Sequence, residues 1–460
     1  MPLPLPLYLH PLPPAAPSTK IRLALLGTAL ADALGGPAEF HARFSFDFLS
    51  EMRPNETFEL LKGVWTDDTS GALALGRAIA AGGRASGGGS GGKEEEDEDE
   101  GDAAQLDAYY RWWQDGVLSA TGECFDIGGT TQGALSIYHQ QLRALGVLSP
   151  LTTTDAAKQL DDKKNRREAA ALALPRIARD LRDAVFGGNG SLMRVLPVGL
   201  AHWGAAPEVV GAKARRSSAV THPNEVCREA CAVWAGAVAS VVRAAAAGTT
   251  MTKLDVLHHF AGFAYETGVL RAALAAEVAL PAGAVGDPQA MEAHYVVHHP
   301  ILRLVAQTVA SSPSPSSPSY SPSSLDSDPD SETAALETRI LALLPTAATL
   351  PSSGYVMHTI VAALYAFLAT STFEHGALLT ANMGDDADTV GAVYGGLAGV
   401  WYAVDEPEGA ATAGGGATQE PEGGSFWSER VRRWRDELVR RDVIEEVAGE
   451  VVGFARRWEV

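Results

Sequence analysis

The stretch Asp385-Asp386-Ala387-Asp388-Thr389-Val390-Gly391-Ala392-Val393-Tyr394-Gly395-Gly396-Leu397-Ala398-Gly399 joins an acidic cluster to a run of small residues. A second copy of this arrangement lies far earlier in the chain, where Thr66-Asp67-Asp68-Thr69 leads into Gly71-Ala72-Leu73-Ala74-Leu75-Gly76. Helices whose contact side chains are small approach closely, so the two acidic ends can meet at one point. Carboxylates brought that near repel one another unless a cation neutralises them, and hard oxygen donors from Asp and Thr suit Mg²⁺ or Mn²⁺. Either cluster alone reads more readily as a helix N-cap, where Asp and Thr are favoured and interact well with the helix dipole. As a pair, they point to a shared site.

Working outward, the patterns are helical. Ile21, Leu25, Thr28 and Asp32 share one face of a first helix that stops at Gly35-Gly36-Pro37. Helices are also expected around 103–115, over 225–247 and 355–370, and from Phe426 to Trp458. Few segments read as strands and no βαβ rhythm appears, so the fold class is all-α. Residues 1–18 are Pro-rich and read as a disordered tail, and 19–460 as one domain. That domain carries low-complexity insertions at 82–102, 311–332 and 406–425 that cannot bury enough apolar surface to order themselves. The first insertion contains the acidic run Glu94-Glu95-Glu96-Asp97-Glu98-Asp99-Glu100, expected to be solvated and disordered.

The chain of 460 residues is 46% hydrophobic, enough for one large core. Its net charge of −20 argues against nucleic acid or an anionic membrane as partner. Cys124, Cys227 and Cys231 form neither a zinc pattern nor a disulfide framework, so the chain reads as intracellular and cytoplasmic. The alternating prolines of the N-terminus do not make a signal peptide, and the apolar runs are poor membrane spans. A monomer is expected.

Other motifs fall in the helical blocks. Glu39 lies just past the Gly-Gly-Pro break beside Phe40. Gly187-Gly188-Asn189-Gly190-Ser191-Leu192-Met193-Arg194 is a turn whose N–H groups suit a phosphate, though it lacks a Walker ending. Thr221-His222-Pro223 opens the long helix, and Phe125-Asp126-Ile127-Gly128-Gly129 reads as a structural loop entering another. Tyr355 begins the 355–370 segment.

Together these motifs resemble the ADP-ribosylglycohydrolase family. The resemblance runs through Asp32-Ala33-Leu34-Gly35 with Glu39-Phe40, then Thr66-Asp67-Asp68-Thr69 and Gly188-Asn189-Gly190-Ser191 with Met193-Arg194. It continues through Thr221-His222 and ends at Asn382-Met383-Gly384 with Asp386-Ala387-Asp388-Thr389. Two positions depart from the family pattern: Ala31 and Asp385 each stand where a Gly is usual. Asp385 either adds a carboxylate to the metal site or points away from it.

The resemblance implies an all-helical hydrolase that cleaves the glycosidic bond of ADP-ribose on a protein side chain or in a small ADP-ribosyl compound. It implies two Mg²⁺ or Mn²⁺ ions held by Thr66, Asp67, Asp68, Asp386, Asp388 and Thr389. Glu39 is implied as ligand or proton carrier, with Asp67 and Asp386 also in the catalytic set. Gly188, Asn189, Gly190 and Ser191 are expected to cradle the diphosphate, and His222 and Tyr355 to line the nucleotide pocket. Two other readings stand beside this one, a non-catalytic ADP-ribose-binding or structural member of the fold and a Mg²⁺-dependent all-α terpenoid synthase. Aromatic residues, at 7%, are sparse for a cavity that shelters carbocations.

Overall fold

The computed structural model of the chain describes residues 7–85, 94–147, 156–311, 329–405 and 425–459. Their helices are α1 (Pro17–Gly35), α2 (Asp67–Ala85), α3 (Glu94–Asp115), α4 (Gly129–Ala144), α5 (Ala156–Asp180) and α6 (Leu196–Ala201). Next come α7 (Pro207–Ala219), α8 (Glu225–Ala247), α9 (Lys253–Ala261), α10 (Gly268–Leu274), α11 (Pro288–His298) and α12 (Pro300–Ser311). The last six are α13 (Pro329–Ala342), α14 (Val356–Ala369), α15 (Phe373–Ala381), α16 (Ala387–Tyr402), α17 (Glu429–Glu437) and α18 (Arg441–Ala455). Among the described residues, extended pairing is limited to isolated bridges such as Gly188 with Tyr355. The chain is all-α.

The small-residue run of α16 lies directly on α1. A Cβ built on Gly395 would stand 2.2 Å from the Gly27 carbonyl oxygen, one on Gly391 2.6 Å from that of Ala31, and one on Gly399 2.4 Å from that of Leu23. Contacts that step by four on both helices in opposite directions make the pair antiparallel. This brings the C-terminal end of α1, with Asp32, against the N-terminal end of α16, with Asp388. A Cβ on Gly35 would lie 2.7 Å from the Asp388 Cα. Backbone contact this close needs glycine.

One continuous core surrounds the pair. Its central helix, α8, starts where the Asn224 side chain accepts from the Val226 N–H and ends at Gly248, with φ +62. Among the described residues it is the one helix long and apolar enough to cross a membrane by length and composition, and 61% of its apolar window is buried in the core. Two buried lysines satisfy carbonyls at helix ends. Lys253 Nζ donates to the Phe367 carbonyl, to the Thr370 carbonyl at 2.6 Å and to the Tyr402 hydroxyl at 2.6 Å. Lys20 Nζ donates to the carbonyls of Val400 (3.0 Å) and Pro13 (3.2 Å), and burial lowers its pKa to about 7.

Some described parts of the segments expected to be disordered are ordered. In the 1–18 tail, residues 7–16 pack on the domain: Tyr8 and Leu9 are buried, and the Tyr8 hydroxyl donates to Glu292 at 2.8 Å. The Leu12 N–H also donates to the Met251 carbonyl at 2.7 Å. Apolar residues alternating with prolines gain enough burial here to offset their ordering. The backbone of the run 94–100 forms the first turns of α3. The ends of the 311–332 segment belong to α12 and α13, and of the 82–102 segment to α2 and α3. Residues 86–93, 312–328 and 406–424 lie outside the described residues.

Candidate metal and substrate site

Asp32 organises the centre from the last turns of α1. Its buried carboxylate accepts from the Thr66 N–H at 3.0 Å, the Thr69 N–H at 3.1 Å and the Thr69 hydroxyl at 2.5 Å. These N–H groups belong to the start of α2 and have no partner within it, so α1 caps α2. The acidic residues of α2 are thereby fixed opposite those of α16. Across the gap, the Thr66 hydroxyl donates to Asp68 Oδ2 at 2.9 Å and lies 3.4 Å from Asp388 Oδ2. The Thr389 hydroxyl donates to the same Asp68 oxygen at 3.3 Å.

Two groups of carboxylates result, each with its oxygens close enough together to hold a cation: Asp32, Asp68 and Asp388, and Glu39, Asp386 and Asp388. Asp388 is common to both. The Asn189 amide steadies Asp386 by donating to its Oδ2 at 2.5 Å and to the Thr359 hydroxyl at 2.8 Å. Asp67 lies in the same field of charge, with Asp126, Glu39, Asp32 and Asp386 acting on it, but belongs to neither group. Asp126, from the loop before α4, joins the centre through its charge, which acts on Glu39 and Asp67.

Burial is the main cause of every pKa shift here. It pushes Asp32 and Asp386 up to about 6, Asp126 up to about 7 and Glu39 up to about 12, and neighbouring negative charges add to the rise at Glu39, Asp126 and Asp386. Asp67, Asp68 and Asp388 are also held well above the usual range. Among the described residues no lysine or arginine forms an ion pair with any of these seven carboxylates. Three of their oxygens, Glu39 Oε2, Asp68 Oδ1 and Asp388 Oδ1, are buried with no hydrogen-bond partner. Buried polar atoms without partners are costly. Oxygen-only donors, uncompensated negative charge and three vacant acceptors fit hard divalent cations.

The loops around the centre are cross-braced. Phe40 N–H donates to the Asp385 carbonyl at 2.6 Å, and Asp385 N–H returns a bond to His41 at 2.7 Å. The buried Arg43 guanidinium donates to the carbonyls of Met383 and Leu350, each at 2.8 Å, and to the Ser352 hydroxyl at 2.9 Å. Asp385 itself adopts φ +55, a left-handed conformation that glycine takes without cost, which explains the family's glycine there. Its carboxylate accepts from Ser352 at 3.2 Å and lies in the field of Arg43, outside both carboxylate groups.

The proposed substrate residues divide. Gly188 pairs with Tyr355, and the Asn189 N–H donates to the Gly354 carbonyl at 3.0 Å, so the Gly188–Ser191 turn is anchored to the start of α14. The Asn189 side chain turns to Asp386. The Ser191 hydroxyl is buried between Ser218 (2.8 Å) and Cys231 (3.4 Å). His222 is only 2% exposed: its ring backs Gly190, where a Cβ would come within 3.0 Å, and Nδ1 bonds the Thr221 hydroxyl at 2.8 Å. Tyr355 is half-buried beside Gly187. Asp32 and Asp126 are the carboxylates of the centre that sequence reasoning gave no ligand or catalytic role. The cap that Asp32 provides requires knowing that α2 returns to it, and Asp126 has no periodicity to mark it.

A family model described as ADP-ribosylglycohydrolase matches residues 13–459. An ADP-ribosylarginine hydrolase Tri1 of Pseudomonas putida (strain GB-1) is 24% identical over 419 residues, covering 91% of this chain and 77% of that protein. Its namesake from Serratia proteamaculans (strain 568) is 34% identical over 119 residues, covering 26% of this chain and 28% of that protein. An ADP-ribosyl-[dinitrogen reductase] glycohydrolase of Rhodospirillum rubrum is 44% identical over 55 residues, 12% of this chain and 19% of its own length. Among solved structures, one described as an ADP-ribosylglycohydrolase-related protein complex aligns with a TM-score of 0.51 at 24% identity, over 95% of this chain and 99% of that chain. At that identity the likeness is one of fold.

Proposed function

The chain belongs to the ADP-ribosylglycohydrolase family, and from that premise we propose that it hydrolyses the glycosidic bond between ADP-ribose and a protein side chain with the help of two divalent cations, Mg²⁺ or Mn²⁺. Family membership sets aside the terpenoid synthase reading. The observation that carries the metal dependence is the set of three buried, partnerless oxygens on Glu39, Asp68 and Asp388. A purely structural or binding member of the fold has no use for carboxylates crowded at such cost.

Asp32, Asp68, Asp386 and Asp388 would hold the cations, with Glu39 at the edge of the second group and the hydroxyls of Thr66 and Thr389 steadying the aspartates. Bound there, divalent ions supply positive charge that positions ribose hydroxyls and acidifies water. The residues of the chain do the rest. Cleavage at the anomeric carbon passes through an oxocarbenium-like state, whose positive charge the surrounding carboxylates favour. Glu39, with one buried oxygen unengaged at the edge of the centre, is placed to carry a proton. Asn189 holds Asp386 in place, and the backbone of the Gly188–Ser191 turn faces the diphosphate. Support for a protein-linked substrate comes from the relatives named above.

The experiment is release of ADP-ribose from an ADP-ribosylated protein after chelation, then with Mg²⁺ or Mn²⁺ restored. Release only with metal supports the reading. Release that survives chelation removes the cations from it, and no release in any condition overturns the hydrolase.

A further inference from the structure

Behind the Gly188–Ser191 turn a row of buried side chains runs from Arg194 through Thr221 to His222. The Arg194 guanidinium lies over the Tyr109 ring, 4.2 Å from its centroid, and donates to the Thr221 hydroxyl. That hydroxyl is in turn 2.8 Å from His222 Nδ1. The other ring nitrogen, Nε2, has no hydrogen-bond partner among the described residues. A Cβ on Gly190 would stand 3.0 Å from Nε2 and 3.3 Å from the Thr131 hydroxyl. Two polar atoms therefore converge on the bare backbone of the turn.

The direction of each hydrogen bond in the row follows from counting donors. A guanidinium only donates, so Thr221 Oγ1 accepts from Arg194. A hydroxyl carries one hydrogen, and Nδ1 is the one acceptor it meets among the described residues. Were Nδ1 protonated instead, the hydroxyl hydrogen would be buried without an acceptor, which is costly. Burial and the charge of Arg194 also hold the His222 pKa well below its usual value, so the ring is neutral and carries a single N–H. That N–H is at Nε2, beside Gly190. The opposite tautomer would present a lone pair there and repel a phosphate oxygen.

We propose that Arg194 and Thr221 are positioning residues that lock His222 as the Nε2–H tautomer, so that one fixed donor faces an oxyanion beside Gly190. The inference rests on the proposed hydrolase reading, in which this turn receives the diphosphate, and adds how its donor is set. Arg194 and Thr221 act through His222 and make no contact with the ligand themselves.

The test reads the tautomer directly, from imidazole nitrogen–proton correlation spectra of the nitrogen-labelled full chain. Calorimetric titration with ADP-ribose in the presence of Mg²⁺ runs alongside. His222→Gln assigns the His222 signal among the 12 histidines. The parent is expected to show a protonated Nε2 and a bare Nδ1. Thr221→Val, which removes the hydroxyl, should give mixed tautomers and weaken ADP-ribose binding about 2- to 10-fold. Thr221→Ser should restore both. Arg194→Met should mix the tautomers as well, with its melting curve reporting whether it stays folded; if it does not, the Thr221 pair decides. A parent His222 protonated at Nδ1 overturns the inference. So does an unchanged tautomer in Thr221→Val or in folded Arg194→Met, or an unchanged ADP-ribose affinity in Thr221→Val. Equal weakening in the Val and Ser variants also overturns it, because packing rather than the hydrogen bond would then matter. A parent that binds no ADP-ribose defeats the proposed function instead, while the spectra still decide the tautomer.

Discussion

Asp388 belongs to both carboxylate groups, so no other side chain contributes as much to a two-cation site. Asp388→Asn is expected to abolish divalent-cation binding and hydrolysis while the fold remains, because removing one of several repelling charges relieves the centre. Calorimetric titration with Mg²⁺ and far-ultraviolet circular dichroism check both halves; tight binding in the variant would exclude Asp388 as a ligand. Glu39→Gln separates proton transfer from metal binding: it should slow turnover by roughly 10²–10⁴-fold with metal affinity largely kept. If excess Mg²⁺ restores the rate, Glu39 acts chiefly as a ligand. Asp385→Gly tests the residue that departs from the family pattern. Its φ of +55 suits glycine and its carboxylate faces Ser352, so metal affinity should not change. At this scale the sequence was legible where chemistry is written in adjacent residues, as in Thr66-Asp67-Asp68 and Asp386-Ala387-Asp388. It was silent on which oxygens converge. Asp67 shared a motif with Asp68 yet belongs to neither cation-holding group, whereas Asp32, from a different helix, belongs to one.

The site exists because α1 and α16 touch backbone to backbone. Gly395 is the tightest point, with the Gly27 carbonyl 2.2 Å from where a Cβ would be. Gly395→Ala is therefore expected to force the helices apart and destabilise the protein by about 1–3 kcal/mol, the usual cost of overpacking. Because the separation would also move Asp32 from Asp388, metal affinity should fall in the same variant. A lowered melting temperature with metal affinity intact would mean that the strain dissipates along the helices before it reaches the site. The small residues of α16 made this contact readable in advance, since their spacing of four gives one helix face. The tail before α1 misled for an equally physical reason. Proline-rich composition describes how a segment behaves alone, and Tyr8 and Leu9 are ordered by partners on α9 and α11 that local composition does not contain. Likewise the charge of the run 94–100 predicts disorder, whereas its backbone forms the first turns of α3.

Across the whole molecule, the buried carboxylates link stability to pH and to metal. Asp32 and Asp386 titrate at about 6 and Asp126 at about 7 in the folded chain, against about 4 when unfolded. Between those values the folded state binds more protons than the unfolded state, so the free energy of unfolding falls as pH rises. The contribution of these groups is fully present below about pH 4 and is lost as pH rises through about 6 to 7. A divalent cation reverses the dependence, because it binds the ionised carboxylates of the folded state and competes with their protons. Metal-free protein should therefore melt at progressively lower temperature across this window, and saturating Mg²⁺ should raise the melting temperature more at pH 7.5 than at pH 5. A ligand at one hundred times its dissociation constant stabilises by about 2.7 kcal/mol. For domains of 150–250 residues each kcal/mol moves the melting temperature by about 2–4 °C, and a chain of this length moves less. Thermal unfolding with chelator and with Mg²⁺ at both pH values gives the comparison. A cation shift that is the same at pH 5 and pH 7.5 would mean that the ion does not bind at these carboxylates. The Asp388→Asn variant carries the control, since its metal-dependent shift should vanish at both pH values while its metal-free melting temperature at pH 7.5 rises above the parent's.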